Sequence, residues 1–185
     1  DGCAPGTVQT SPATSTTPAV CAACVAGQHC AGGELPAEAC DDGDGTWDHD
    51  GNPATACVAR TSCLAGQYVS AEGDATMDRR CTACASGSYS GTSNATACTP
   101  YTACLAGQYI STAGTATTPR TCSSCPSDTY SSTPNANTCT GWTVCSVGQY
   151  VTLEGSPTSD RTCGGCTSGS FSVVTNAPSC TDWTD

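Results

Sequence analysis

The chain has 185 residues, among them 18 Cys, 31 Thr and 21 Ser, whereas Leu, Ile, Val and Phe together number only 16. That is too little apolar volume for one large core, which argues against an enzyme and for a chain held by crosslinks. The net charge is −11, with five Arg and no Lys, which excludes nucleic-acid binding and attraction to anionic membranes, since both need clustered cations.

An even cysteine count implies nine disulfides and an oxidising compartment, so the protein is expected to be secreted or displayed on a cell surface. No apolar run approaches membrane-spanning length. The chain starts without an initiating Met or a leader and reads as a mature form or a fragment.

Residues 1–57 read as an atypical cysteine-rich cap with an acidic insertion. The tract TVQTSPATSTTPA (7–19) is Thr/Ser/Pro-rich and reads as an extended, O-glycosylated linker, with Thr14, Ser15, Thr16 and Thr17 as candidate carriers. CVAGQHCAGGELPAEAC (24–40) follows, with an extra Cys30. Next comes DDGDGTWDHDGN (41–52), where Asp42, Asp44, Asp48 and Asp50 sit among glycines. Carboxylates on a flexible loop are the donors calcium prefers. The EF-hand pattern itself is not met, because Thr46 stands at the first ligand position and no Glu closes the loop. Calcium is the one cofactor the sequence suggests.

From Cys57 onward the chain repeats with a period of 41. Cys57, Cys98, Cys139 and Cys180 keep that step, as do Cys63, Cys104 and Cys145. So do Gly66-Gln67-Tyr68, Gly73, Arg79, Asn94 and the series Tyr101, Trp142, Trp183. The repeats are 58–98, 99–139 and 140–180, and 181–185 begin a further, incomplete one. Each holds a short loop, such as Cys84 to Cys98, and a long loop, such as Cys63 to Cys81. In the long loop, alternation in GQYVS predicts a short strand, and Gly73 a turn. The expected fold is small and disulfide-rich, an elongated tandem array of short β-hairpin modules with little helix.

Two pairing schemes are open. The two-loop unit suggests sequential bridges: Cys3–Cys21, Cys24–Cys30, Cys40–Cys57, Cys63–Cys81, Cys84–Cys98, Cys104–Cys122, Cys125–Cys139, Cys145–Cys163 and Cys166–Cys180. The alternative joins close cysteines such as Cys98 and Cys104. The CxxC pairs invite a zinc or redox reading, but only His29 and His49 could complete a zinc site, and the regular array fits disulfides. Arg79, Arg120 and Arg161 lie near the opposite end of each hairpin from Tyr68, Tyr109 and Tyr150; a stack of Arg on Tyr is one reading, and packing of these residues between repeats is the favoured one. Asn94-Ala95-Thr96 is an N-glycosylation sequon.

The short loop, C-x-x-G-x-Y-S…N…C, resembles the first loop of tumour-necrosis-factor-receptor cysteine-rich modules and is similar to ephrin-receptor-like repeats. The long loop, C-x-x-G-Q-Y…D-R-x-C-x-x-C, resembles the second part of such modules, over about residues 57–180. Receptor modules carry six cysteines and these repeats carry four. Arg60, Tyr101 and Trp142 stand where the family has another cysteine, so the resemblance implies a crossed bridge pair reduced to one.

No catalytic constellation is visible, and the chain reads as a non-enzyme. The leading expectation is a structural subunit of an extracellular, glycosylated fibre, appendage or surface coat. It would self-associate into a polymer through end-to-end and lateral contacts, with Trp47, Trp142 and Trp183 as contact residues. The alternatives are a receptor-like ligand-binding ectodomain, which predicts a non-repeating patch on one module, and a calcium-dependent adhesion module.

Overall fold

The computed structural model describes residues 2–41, 43 and 45–184. Two compact units divide the chain, Asp1–Thr99 and Pro100–Asp185. Among the described residues the regular structure is short β-strand, in two-stranded antiparallel pairs. Thr, Ser and Gly are abundant throughout the chain. These residues lose freedom in a helix or compete for its backbone bonds, so the chain forms hairpins.

The first unit holds two long hairpins. Thr7–Ser11 pairs with Val20–Ala23, and Gln67–Ala71 with Arg80–Ala83. The second unit holds two more, Gln108–Thr112 with Thr121–Ser124 and Gln149–Leu153 with Thr162–Gly165. All four bulge at the same place, after the third residue of the first strand. A hydroxyl residue stands at each bulge. Thr10, Ser70 and Thr152 each donate to a carbonyl of the facing strand at 3.1 Å, and Ser111 bonds the Thr121 hydroxyl at 3.0 Å. A bulge leaves a backbone group unpaired, and the hydroxyl ties that point across the hairpin.

The tract 7–19 is therefore not a linker. It is a hairpin, and its tip turn is the one the later hairpins use. A bond from the first residue's N–H to the fourth residue's carbonyl closes each tip: Thr14 to Thr17 at 2.8 Å, Asp74 to Met77 at 3.0 Å, Thr115 to Thr118 at 3.0 Å and Ser156 to Ser159 at 2.9 Å. The first side chain also accepts the next amides, as Thr14 Oγ1 does from Thr17 N–H at 3.0 Å. Composition misled here because Ser and Thr serve local turns as readily as glycan attachment.

All eighteen cysteines pair, in chain order from Cys3–Cys21 to Cys166–Cys180, and none is free. Cystine is also the core. Cys63, Cys104 and Cys145 are fully buried. Cys30 is as deeply buried, and Cys3, Cys40, Ala177, Asp48, three serines and the glycines Gly27, Gly32, Gly66 and Gly107 are buried with them.

Two polar latches join the loops of a module. Asn94, Asn135 and Asn176 adopt positive φ of 53°, 57° and 54°. Each donates its N–H to the carbonyl of Cys63, Cys104 or Cys145, and its Oδ1 accepts that cysteine's N–H at 2.8–3.0 Å. The second latch is a buried serine. Ser90 Oγ accepts from Gly66 N–H at 2.9 Å and donates to Gln67 O at 2.7 Å. Ser131 and Ser172 repeat this at Gly107 and Gly148.

The same glycine position occurs in the N-terminal region. Gly6, Gly27, Gly66, Gly107 and Gly148 share φ of 82–89°. Their carbonyls accept from Cys24, Cys40, Cys84, Cys125 and Cys166. Only glycine takes this φ without strain. At Gly27 the serine's role falls to Asp48, whose Oδ2 accepts the Gly27 N–H at 2.9 Å. Within each unit a hairpin tip also docks on another module: Ala75 O accepts from Asp48 N–H at 2.7 Å, and Pro157 O from Ser131 N–H at 3.0 Å.

Candidate functional site

The acidic loop is folded around its own backbone. Asp48 is buried, and its Oδ1 accepts from Gly51 N–H at 2.8 Å while Oδ2 holds Gly27. Asp50 Oδ1 accepts from Asn52 N–H at 3.0 Å and from the Thr55 hydroxyl at 2.9 Å. The Asn52 amide bond, above all, holds the Asp50 carboxyl below its ordinary range. Asp41 pairs with the guanidinium of Arg60, and that carboxylate raises the already high Arg60 value. Asp42 and Asp44 lie outside the described residues. Among the described residues no three His, Cys, Asp or Glu side chains are grouped to hold a metal.

Arg120 and Arg161 stand over rings other than Tyr109 and Tyr150. Arg120 lies over the Tyr101 ring and Arg161 over Trp142, each 5.3 Å from the ring centre. Hairpin register explains the change. Tyr109 faces Ser123 and Tyr150 faces Gly164, so each Arg sits three residues further toward the tip. In the first repeat Arg60 replaces the aromatic, and Arg79 pairs instead with Glu72 at 3.1 Å.

These rings also explain a recurring glycine. An added Cβ at Gly114 would lie 2.5 Å from the Tyr101 ring, and one at Gly155 would lie 2.3 Å from the Trp142 indole. Gly73 alone of the three needs positive φ, 75°. The turn role expected from Gly73 therefore does not extend to Gly114 and Gly155, which are open seats for a ring. Tyr101 bonds Thr115 O at 2.7 Å and Trp142 Nε1 bonds Ser156 O at 3.1 Å. Trp142 and Trp47 are half-buried, which corrects their assignment as exposed contact residues, whereas Trp183 is exposed and stacks on Phe171 at 4.5 Å.

Two aspartates missed in the sequence clamp the long loop to the segment before its first cysteine. Asp160 Oδ1 accepts from Thr143 N–H at 2.6 Å and Arg161 N–H at 2.7 Å, and Oδ2 accepts the Thr143 hydroxyl at 2.6 Å. Asp78 does the same for Thr61 and Arg79. The threonine hydroxyl bonds are the first cause that holds both carboxyls below the ordinary range. The middle repeat has Pro119 at this position, so the signal was not periodic. Of the candidate glycan carriers, Asn94 and the Thr14–Thr17 tip are exposed, and Asn94 Oδ1 is held by Cys63 N–H.

The described surface carries an open hollow beside Gln9, Thr10 and Glu34. Residues 125–163 match the family model of the TNFR/NGFR cysteine-rich region. The match starts at Cys125 and ends at Cys163, one short loop and the following long loop with both bridges intact. The receptor-module resemblance holds.

Among solved structures, a chain of the human RANKL/OPG complex is 26% identical over 90% of this chain and 90% of that one, with TM-score 0.39. A chain of the mouse RANKL–OPG complex is 22% identical over 68% and 93%, with TM-score 0.33. A chain from the structure of equine lentivirus receptor 1 is 25% identical over 54% and 94%, with TM-score 0.33. No sequence among curated proteins matches. With nine disulfides and this family match, the protein is extracellular, secreted or at a cell surface. No helix of the described residues is long and apolar enough to cross a membrane.

Proposed function

We propose that this chain is a receptor-like ectodomain that binds a protein ligand through the surface of its crosslinked modules. The observation that carries the reading is the family match at residues 125–163, aligned on two intact disulfide loops. It favours this reading over the expected fibre subunit, because the matched family is a receptor cysteine-rich region. A frame without a reaction centre and with fixed surface loops suits recognition, because rigid loops lose little freedom on binding. The test is analytical ultracentrifugation and electron microscopy of the native protein, with a binding screen against secreted proteins of its source. Monomers that bind one partner saturably are expected. Regular filaments without a partner would restore the fibre reading.

The same reading includes an N-linked glycan at Asn94. Oδ1 is committed to Cys63 N–H, so the sugar extends from Nδ2 on an exposed turn. Asn135 and Asn176 hold the same turn but lack the sequon, as Asn137 and Pro178 stand two residues on. Peptide-N-glycosidase treatment should lower the intact mass by one glycan, and Thr96→Ala should abolish the shift.

A further inference from the structure

One module departs from the others on its surface. The segments 144–148 and 172–176 lie side by side, joined by four bonds. Asn176 N–H donates to Cys145 O and Asn176 Oδ1 accepts Cys145 N–H, both at 2.9 Å. Gly148 N–H reaches both Ser172 O and Ser172 Oγ at 3.0 Å. On these segments Val144, Val147, Val173 and Val174 are 59%, 61%, 71% and 57% exposed. The second repeat has Ala103, Ala106, Ser132 and Thr133 at those places, and the first has Ser62, Ala65, Gly91 and Thr92. Single exposed apolar residues are ordinary, but a cluster that replaces small and hydroxyl residues marks an interaction site.

The surroundings indicate the partner. Asp160 binds Thr143, the residue before Val144, and its threonine and backbone donors keep it charged. The whole chain is at −11 with no Lys, so a second copy would be repelled, whereas a cationic surface would be drawn in. In the first module the corresponding segment carries the Asn94 sequon instead of valines.

We propose that Val144, Val147, Val173 and Val174 form the docking surface for a basic extracellular protein, which seats an apolar side chain on the valines and sets Lys or Arg beside Asp160. This rests on the receptor reading above. The test replaces the four valines with the residues of the second repeat, Val144→Ala, Val147→Ala, Val173→Ser and Val174→Thr, which that module already accommodates in the same backbone. The probe is the cation-exchange-bound fraction of secreted proteins from the source, from which the bound protein is purified and measured against both chains. Affinity should fall about tenfold or more in the variant, as hot-spot truncation does, and should weaken with salt. Leu64→Ser with Leu105→Ser, which replaces exposed leucines of the first two repeats by the Ser146 type, should leave affinity unchanged. A partner that binds the variant as tightly as the native chain overturns the docking surface and leaves the receptor reading standing. Absence of any saturable partner in that fraction overturns the basic partner, while a saturable partner from the unfractionated secreted proteins keeps the receptor reading and its absence overturns both. Salt-insensitive dimerisation lost in the variant would make a second copy the occupant and overturn the proposal.

Discussion

At the scale of single residues, polar side chains do work that apolar ones do in larger proteins. Asn176 satisfies both backbone groups of the fully buried Cys145 and takes a φ of 54°. Asn176→Ala should cost about 1–3 kcal/mol, because it strands the Cys145 amide. Hydrogen exchange should show that amide opening faster, with the Cys104 amide unaffected. Asp160 and Asp78 make a pH prediction. Their native values lie below the ordinary carboxylate value, so an unfolded chain takes up protons before the native one. Their contribution is present above about pH 4 and lost as pH falls through the lowered native values. A thermal melt followed from pH 7 to 2 should show the midpoint dropping below about pH 4, and exchange at the Thr143 amide should rise before that at Thr102, whose repeat has Pro119 instead of Asp.

At the scale of elements, the long hairpin is defined by its bulge hydroxyl, its tip turn and a ring set on glycine. Gly155→Ala would force the Trp142 indole off its seat and should cost about 1–3 kcal/mol, as overpacking does. The loss of the Arg161 stack should appear as a shift in tryptophan emission. Gly141→Ala meets nothing within 4 Å and serves as the neutral control. The period of 41 showed that these positions matter and did not show why. Gly73, Gly114 and Gly155 recur alike in the sequence, yet the first serves a positive φ and the others a ring. Ser90, Ser131 and Ser172 recur as well, but among 21 Ser a buried one has no distinguishing mark.

At the scale of the whole molecule, disulfides take the place of an apolar core. In the chain-entropy model each loop of this size contributes about 3 kcal/mol. Full reduction should therefore abolish the β-structure, not loosen it. Circular dichroism before and after a phosphine reductant checks this, and retention of hairpin signal would show that the polar latches suffice alone. The N-terminal region follows the same plan as the rest, because Gly6 and Gly27 repeat the glycine geometry of Gly66. Its altered spacing hid that, since the period counts residues whereas the geometry needs only the turn and its partners.

The sequence alone determined the compartment, the hairpin class and the receptor-module resemblance, because cysteine count and spacing leave a core-poor chain few other ways to fold. Tertiary structure decided the rest. It chose sequential bridges over the close-cysteine alternative, turned a mucin-like tract into a hairpin, and set Arg120 and Arg161 on the ring three residues before a cysteine while Arg79 pairs with Glu72. It also placed Val144 and Val147 beside Val173 and Val174. Those pairs are more than twenty residues apart in the chain, and the latches at Asn176 and Ser172, with the Val151–Ala177 bond, bring their segments side by side.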